Sequence, residues 1–169
     1  MAENLTISEQ MAEFALSLMY EQIPLNVIDY GKMLLMDTFG VAMSCQKLPH
    51  AEAVKNALLE LKSPAVCTLW GGRDKASLAD VALYNSSLIH GADYDDTHVH
   101  PSAAVTSTAV TVGEHVNASG RDMMTAIVAG WEIIVRLGLA AKGRFHDVGY
   151  HGTGIVAPFA AACVAAKLM

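Results

Sequence analysis

The segment between His90 and Pro101 holds the densest group of proton-transferring side chains in the sequence. It contains three histidines and three aspartates, namely His90, Asp93, Asp95, Asp96, His98 and His100. Imidazoles and carboxylates at such close spacing can exchange protons, as acid–base catalysis requires, and they are also common metal ligands. The alternative is a solvated acidic loop with incidental histidines. Apolar segments on both sides make the two interpretations about equally good.

A metal site in this segment would draw on Asp95, Asp96, His98 and His100. Two histidines separated by one residue point to the same side only in a β-strand, and the local pattern does not predict a strand. We therefore predict that the segment binds no metal.

A second polar segment covers residues 142–154. It is rich in glycine and carries two histidines, His146 and His151, together with the cations Lys142 and Arg144. A Lys or Arg side chain forms charge-assisted hydrogen bonds with carboxylates, so Arg144 is a candidate substrate-binding residue. The sequence thus predicts two loops in which chemistry can occur.

Helices are predicted to hold these loops in place. Ser77 and Asp80 form a capping box for a helix that ends near His90, and Pro101 suits the first turn of the next helix. The histidine-rich segment would then join two helices. Its last residues would lie at a helix N-terminus, where free N–H groups and the helix dipole favour a bound anion such as a substrate carboxylate.

The whole chain is predicted to form one all-α domain over residues 1–169, a bundle of about seven helices. Hydrophobic residues make up 53% and charged residues 17%, which is ample for a core. Residues 25–44 are apolar nearly all round, which predicts a buried helix, with Gly31 and Gly40 allowing close packing. Residues 65–70 form either a short strand or a tucked apolar loop.

Charge and motifs argue against several classes of function. A net charge of −6 without any basic run argues against nucleic acid as a partner. Residues 155–166 are too short to span a bilayer, and no secretory signal precedes the first helix. The three separated cysteines favour a reducing, cytoplasmic location. The sequence has neither the serine elbow of the α/β-hydrolases nor a phosphate-binding loop.

Four motifs, in order along the chain, resemble the MmgE/PrpD family. They are Leu34-Leu-Met-Asp37-Thr-Phe-Gly40, His90-Gly-Ala-Asp93-Tyr-Asp-Asp-Thr97-His98, His100-Pro101-Ser102 and Tyr150-His151-Gly-Thr-Gly154. The family includes 2-methylcitrate dehydratases, cis-aconitate decarboxylases and iminodisuccinate epimerases. The resemblance implies a large helical domain followed by a smaller α+β domain, with the active site between them. It also implies homodimers, a polycarboxylate substrate and no cofactor.

Position by position, the resemblance implies Asp93, His100 and His151 as catalytic residues and Thr97 as a substrate-binding residue. The sequence departs from the family at two points. The interval between Thr97 and His100 is short, so His98 competes with His100 and is itself a candidate substrate-binding residue. In addition, Tyr150-His151-Gly152 stands where Phe-His-Pro is common.

The reaction expected from the resemblance is dehydration of a citrate-like acid such as 2-methylcitrate. A base would take a proton from the carbon beside a carboxylate, and an acid would protonate the departing hydroxyl. Decarboxylation or epimerisation of related acids is the alternative, as is a non-catalytic fragment that serves in dimerisation or binding. Because the family's catalytic lysines match no residue of this chain, we expect a fragment of a two-domain parent, truncated before the α+β domain and inactive alone.

Overall fold

The structure is a computed structural model and describes residues 5–96 and 98–169. Within these ranges it contains eight α-helices, one 3₁₀ turn and two short strands. In chain order they are α1 (Ile7–Ser17), the 3₁₀ turn Tyr20–Gln22, α2 (Leu25–Cys45), α3 (Pro49–Glu60), β1 (Cys67–Thr68), β2 (Lys75–Ala76), α4 (Leu78–His90), α5 (Pro101–Val116), α6 (Gly120–Ala140), α7 (Arg144–Asp147) and α8 (Gly152–Leu168). The predicted all-α class is confirmed, with one more helix than the sequence indicated.

Three helices begin where capping residues predict. Thr6, Ser77 and Ser119 each accept a hydrogen bond from the backbone N–H three residues on, at the starts of α1, α4 and α6. Each hydroxyl satisfies an N–H group that has no partner within the helix, a gain of about 1 kcal/mol per cap. Of these three helices, α4 carries His90 at its other end.

The alternative left open for residues 65–70 resolves as a strand. Cys67 and Thr68 pair antiparallel with Ala76 and Lys75, across the turn that contains Gly71. The hairpin is tied to α5 because the Thr68 hydroxyl donates to the carboxylate of Glu114 over 2.7 Å. It is the only sheet among the described residues.

The centre of the fold is the set α5, α6 and α8, which pack on one another. Val105, Ile127, Ile134 and Val164 are at most 1% exposed in the cluster that these helices form. In the described part of the chain, α6 alone is long and apolar enough to cross a bilayer. Its contacts with α1, α2, α5 and α8 account for that composition as the core helix of a globular fold.

Helix α2 corrects one expectation. Its all-round apolar pattern predicted a buried helix, but Leu25, Met33 and Met36 are 59–76% exposed. Only the opposite face, with Ile28 and Val41, enters the core. The predicted role of Gly31 fits, because a Cβ there would lie 3.1 Å from Met124 Sδ, whereas a Cβ at Gly40 would meet no atom of the described residues within 4 Å. Helix α2 therefore has two apolar faces, and among the described residues only one of them packs against other helices.

Candidate active site

Three helix ends meet at the predicted loops. His90 is the last residue of α4, Pro101 is the first of α5, and α8 begins at Gly152, three residues earlier than the sequence indicated. The connection from α4 to α5 turns back on itself through Asp93, Val99 and His100, all with a left-handed backbone. Such conformations cost about 1–3 kcal/mol each in residues other than glycine and concentrate at functional sites. The strained backbone therefore lies where the titratable side chains come together.

Asp95 lies between two imidazoles. Its side chain is 1% exposed, and both carboxylate oxygens contact Nδ1 of His90, at 3.1 and 3.3 Å. On the other side, Oδ1 lies 3.2 Å from Nδ1 of His100, close enough for a charge contact but without hydrogen-bond geometry. The buried carboxylate orients the His90 ring through this hydrogen bond and lies within charge-contact distance of the His100 ring.

His90 in turn contacts His151. The two Nε2 atoms are 3.3 Å apart, and the rings stack with centroids 5.5 Å apart. When His90 donates from Nδ1 to Asp95, its Nε2 can accept a proton from His151. The three side chains form a relay from a buried carboxylate to an exposed imidazole.

Asp93 and His100 form a second acid–base pair. Oδ1 of Asp93 lies 3.6 Å from Nε2 of His100, and the Asp93 side chain is 80% exposed whereas that of His100 is 21% exposed. The centroids of the His100 and His151 rings are 6.1 Å apart. The two imidazoles can thus act on neighbouring atoms of one small molecule, each over a hydrogen-bond distance of about 3 Å.

At the start of α5, where the sequence predicted a bound anion, the structure places the carboxylate of Asp96. Its carboxylate accepts hydrogen bonds from the backbone N–H of Ser102, at 3.1 Å, and from the Ser102 hydroxyl, at 2.8 Å. Pro101 has no N–H, so the first donor of this helix is already used by the protein's own carboxylate. Burial raises the pKa of Asp96, against the lowering effect of the bonds from Ser102.

A cavity of about 140 Å³ opens beside this cluster. Its polar lining consists of His98, His100, His146, His151 and Thr153. Larger concavities exist, including one of about 650 Å³ at the C-terminal end of α8, but that one contains no histidine. The chemistry of the donors, rather than the size of the cavity, identifies the candidate active site.

The structure brings Asp93, His100 and His151 together, as the sequence indicated. His98 is exposed and lines the cavity, and among the contacts described for it there is no carboxylate partner. Arg144 starts α7, is exposed and does not line the cavity. Thr97 lies outside the described residues, so its role stays a prediction.

His90, Asp95 and His146 were not among the predicted catalytic or substrate-binding residues, although Asp95 was a candidate metal ligand. The dense histidine and aspartate pattern included the first two, and the second loop included His146, but nothing in the sequence indicated which carboxylate would be buried. Asp95 lies five residues after His90, beyond the end of α4. The two side chains are in contact because the backbone turns between them, and the sequence does not predict that turn.

One group in the site has the ligand atoms for a metal ion. His90, Asp93, Asp95 and His100 each offer a ligand atom, and these four atoms lie within 4.8 Å of one another. The set differs from the predicted candidates, since it contains His90 and Asp93 in place of His98 and Asp96. The hydrogen bond between His90 and Asp95, together with the charge contacts of His100, also accounts for these short distances.

Comparison with known proteins places these features in a family. The sequence pattern of the MmgE/PrpD N-terminal domain matches residues 9–169. The cis-aconitate decarboxylase of Aspergillus terreus is 26% identical over 173 residues, covering 96% of this chain and 35% of that protein. A cis-aconitate decarboxylase-like protein of Aspergillus oryzae, oryM, is 25% identical over 176 residues, covering 96% of this chain and 36% of that protein. The chain spans about a third of the length of these curated relatives, and by its match over residues 9–169 it belongs to the MmgE/PrpD family.

Proposed function

We propose that the protein containing residues 1–169 is a lyase that removes water from a citrate-like polycarboxylate such as 2-methylcitrate, using side chains and no cofactor. The observation that carries the proposal is the pair of acid–base systems at one cavity. Asp95, His90 and His151 form one system, and Asp93 with His100 forms the other.

Dehydration needs two proton transfers on neighbouring atoms. One imidazole takes the proton from the carbon beside a carboxylate, and the other protonates the hydroxyl as it leaves. The ring centroids of His100 and His151 are 6.1 Å apart and both residues line the same cavity, so both imidazoles can reach one small molecule bound there. The relay through His90 to buried Asp95 would stabilise His151 while it holds the substrate's proton.

Decarboxylation of cis-aconitate is the second candidate. The two relatives described above carry that name. This reaction requires only one proton donor, which protonates the carbanion left when carbon dioxide departs, so it would leave one of the two acid–base systems without a proton-transfer step. Epimerisation of a related acid would use both systems, as dehydration does.

The partners proposed for the protein follow from its family and surface. A second copy of the chain would form a homodimer, and the exposed apolar face of α2 is consistent with such association. We propose a cytoplasmic enzyme that binds neither nucleic acid nor membrane. The different class of function, a non-catalytic fragment that only dimerises or binds, predicts no turnover in any form of the protein.

Enzyme assays on the full-length gene product that contains residues 1–169 test these proposals. With 2-methylcitrate, dehydration produces an unsaturated acid that absorbs in the ultraviolet. With cis-aconitate, decarboxylation releases carbon dioxide. We expect turnover of 2-methylcitrate that is lost in His151→Ala. Turnover of cis-aconitate alone would move the assignment to a decarboxylase, and inactivity toward every citrate-like acid would favour the non-catalytic role.

A further inference from the structure

The start of α8 differs from the start of α5 in having no side chain that caps it. The N-cap residue His151 makes no side-chain hydrogen bond to the first turn of this 17-residue helix. The first N–H groups of a helix lack partners within the helix and carry the positive end of its dipole. At α5 the carboxylate of Asp96 meets this need. Among the described residues, no side chain caps α8 in the same way.

Thr153, the second residue of α8, supplies an independent indication of a ligand. The residue is 7% exposed, and its Oγ1 has no hydrogen-bond partner among the described residues. A buried hydroxyl without a partner is costly, and native structures contain few of them. Thr153 lines the 140 Å³ cavity that the histidines also line. A ligand in that cavity would give the hydroxyl its missing partner.

The cavity suits an anion. Its described lining residues include four histidines and Thr153 but no aspartate or glutamate, although Asp93 and Asp95 contact the neighbouring imidazoles. The volume is several times the roughly 30 Å³ that one water molecule occupies in the liquid.

We infer that this cavity is the subsite for one carboxylate of the substrate, which accepts hydrogen bonds from the Thr153 hydroxyl and from N–H groups in the first turn of α8. The inference rests on the proposed function, because it takes the substrate to be a polycarboxylate. His151 directly precedes the helix that holds this carboxylate. The carbon beside the bound carboxylate is therefore brought to the imidazole that exchanges its proton.

Binding of tricarballylate, a three-carboxylate probe without a hydroxyl to lose, tests the inference by isothermal titration calorimetry on the full-length gene product. Thr153→Val removes the hydroxyl and keeps the shape, and Thr153→Ser keeps the hydroxyl. Thr111→Val is the matched control, since Thr111 Oγ1 is also buried and unpartnered but lies ten residues along α5 from Pro101 and does not line the cavity.

We expect Thr153→Val to weaken binding about 10- to 100-fold, as loss of a hydrogen bond to a charged group does. Thr153→Ser should stay within about threefold of the original protein, and Thr111→Val should bind unchanged. The melting temperature of unliganded Thr153→Val should not fall, because the lost hydroxyl had no partner.

Two results would overturn the inference and are distinguishable. If Thr153→Val binds tricarballylate as tightly as the original protein, or if Thr111→Val loses as much affinity, the subsite is wrong while the proposed function stands. If the original protein binds no tricarballylate and turns over no citrate-like acid, the polycarboxylate assignment falls as well.

Discussion

Nδ1 of His100 lies 3.2 Å from Oδ1 of Asp95, a carboxylate whose side chain is only 1% exposed. The same carboxylate accepts a hydrogen bond from Nδ1 of His90. One buried carboxylate thus contacts two imidazoles of the site, whereas the Asp93 carboxylate is 80% exposed and lies 3.6 Å from Nε2 of His100. Within the described residues, this arrangement gives Asp95 a larger role than its position in the sequence indicated.

The first prediction concerns the carboxylates of the site. We expect Asp95→Asn, Asp93→Asn and His100→Ala each to lower kcat of the full-length gene product by about 10²–10⁴, the range for loss of an acid–base group. Asp74→Asn, which breaks a surface ion pair with Lys55, is the matched control and should leave kcat unchanged. Circular dichroism should show intact helices in all four variants. Full turnover by the site variants would remove them from the mechanism, and loss of helicity would indicate structural roles.

The second prediction concerns metal. We expect no stoichiometric metal, and no change in melting temperature with chelators, because the sequence has no regular ligand spacing and the hydrogen bond and charge contacts of His90, Asp95 and His100 already account for their proximity. Elemental analysis checks the first half and thermal melting the second. About one zinc per chain, lost in both His90→Ala and His100→Ala, would instead make the four-residue group a metal site.

The third prediction concerns pH. Because burial raises the pKa of Asp96 above its ordinary value of 3.8, the folded protein holds this proton more tightly than the unfolded chain. The resulting stability is full below the ordinary value and is lost as pH rises through the raised pKa, by about 1.4 kcal/mol for each pH unit between the unfolded and folded pKa values. Asp96→Asn should therefore gain stability relative to the original protein between about pH 4 and pH 7.

Urea unfolding of both proteins across that range measures the difference. The exposed residue Glu13 provides a control, since Glu13→Gln also removes one negative charge but no buried group. A stability difference between Asp96→Asn and the original protein that stays constant with pH would contradict the assignment.

The fourth prediction compares two glycines. A Cβ at Gly130 would lie 2.5 Å from Val164 and 2.9 Å from Val105, both fully buried, so Gly130→Ala should lower the free energy of unfolding by about 1–3 kcal/mol. Gly40 faces open space within α2, so Gly40→Ala should raise it by about 0.5–1 kcal/mol. Chemical denaturation measures both. Equal effects of the two substitutions would mean that α5, α6 and α8 do not approach as closely as the structure shows.

The helices were predictable where local chemistry decides them. Capping residues such as Thr6 and Ser119 act on the next turn of the chain, so they mark helix starts without tertiary information. The hairpin was ambiguous because β1 is held by a distant residue, Glu114. The single turn α7 was missed because it lies between Gly143 and Gly149, within a segment that has no apolar periodicity.

The place where titratable side chains come together was predictable, but its geometry was not. The density of histidine and aspartate indicated the segment in which the structure brings His90, Asp95 and His100 into contact. Which carboxylate is buried depends on left-handed backbone at Asp93, Val99 and His100. Val99 is β-branched, and β-branched residues rarely adopt a left-handed backbone, so its residue type does not predict the turn. The pairing of His90 with His151 joins residues 61 positions apart and depends on how α8 packs.

The last prediction concerns association. Leu25, Met33, Met36 and Met43 share one face of α2 and are 41–76% exposed, and a Cβ at Gly40, which lies between them, would meet no atom of the described residues within 4 Å. An apolar face of this kind favours self-association in water. We therefore expect residues 1–169 alone to elute larger than a monomer in size-exclusion chromatography and to show no dehydratase activity on 2-methylcitrate.

The double substitution Met33→Lys and Met36→Lys should shift elution toward the monomer, whereas Leu83→Lys, at an exposed apolar position on α4, should not. A monodisperse monomer that turns over 2-methylcitrate would contradict both parts, and would mean that residues 1–169 contain every group that the reaction needs.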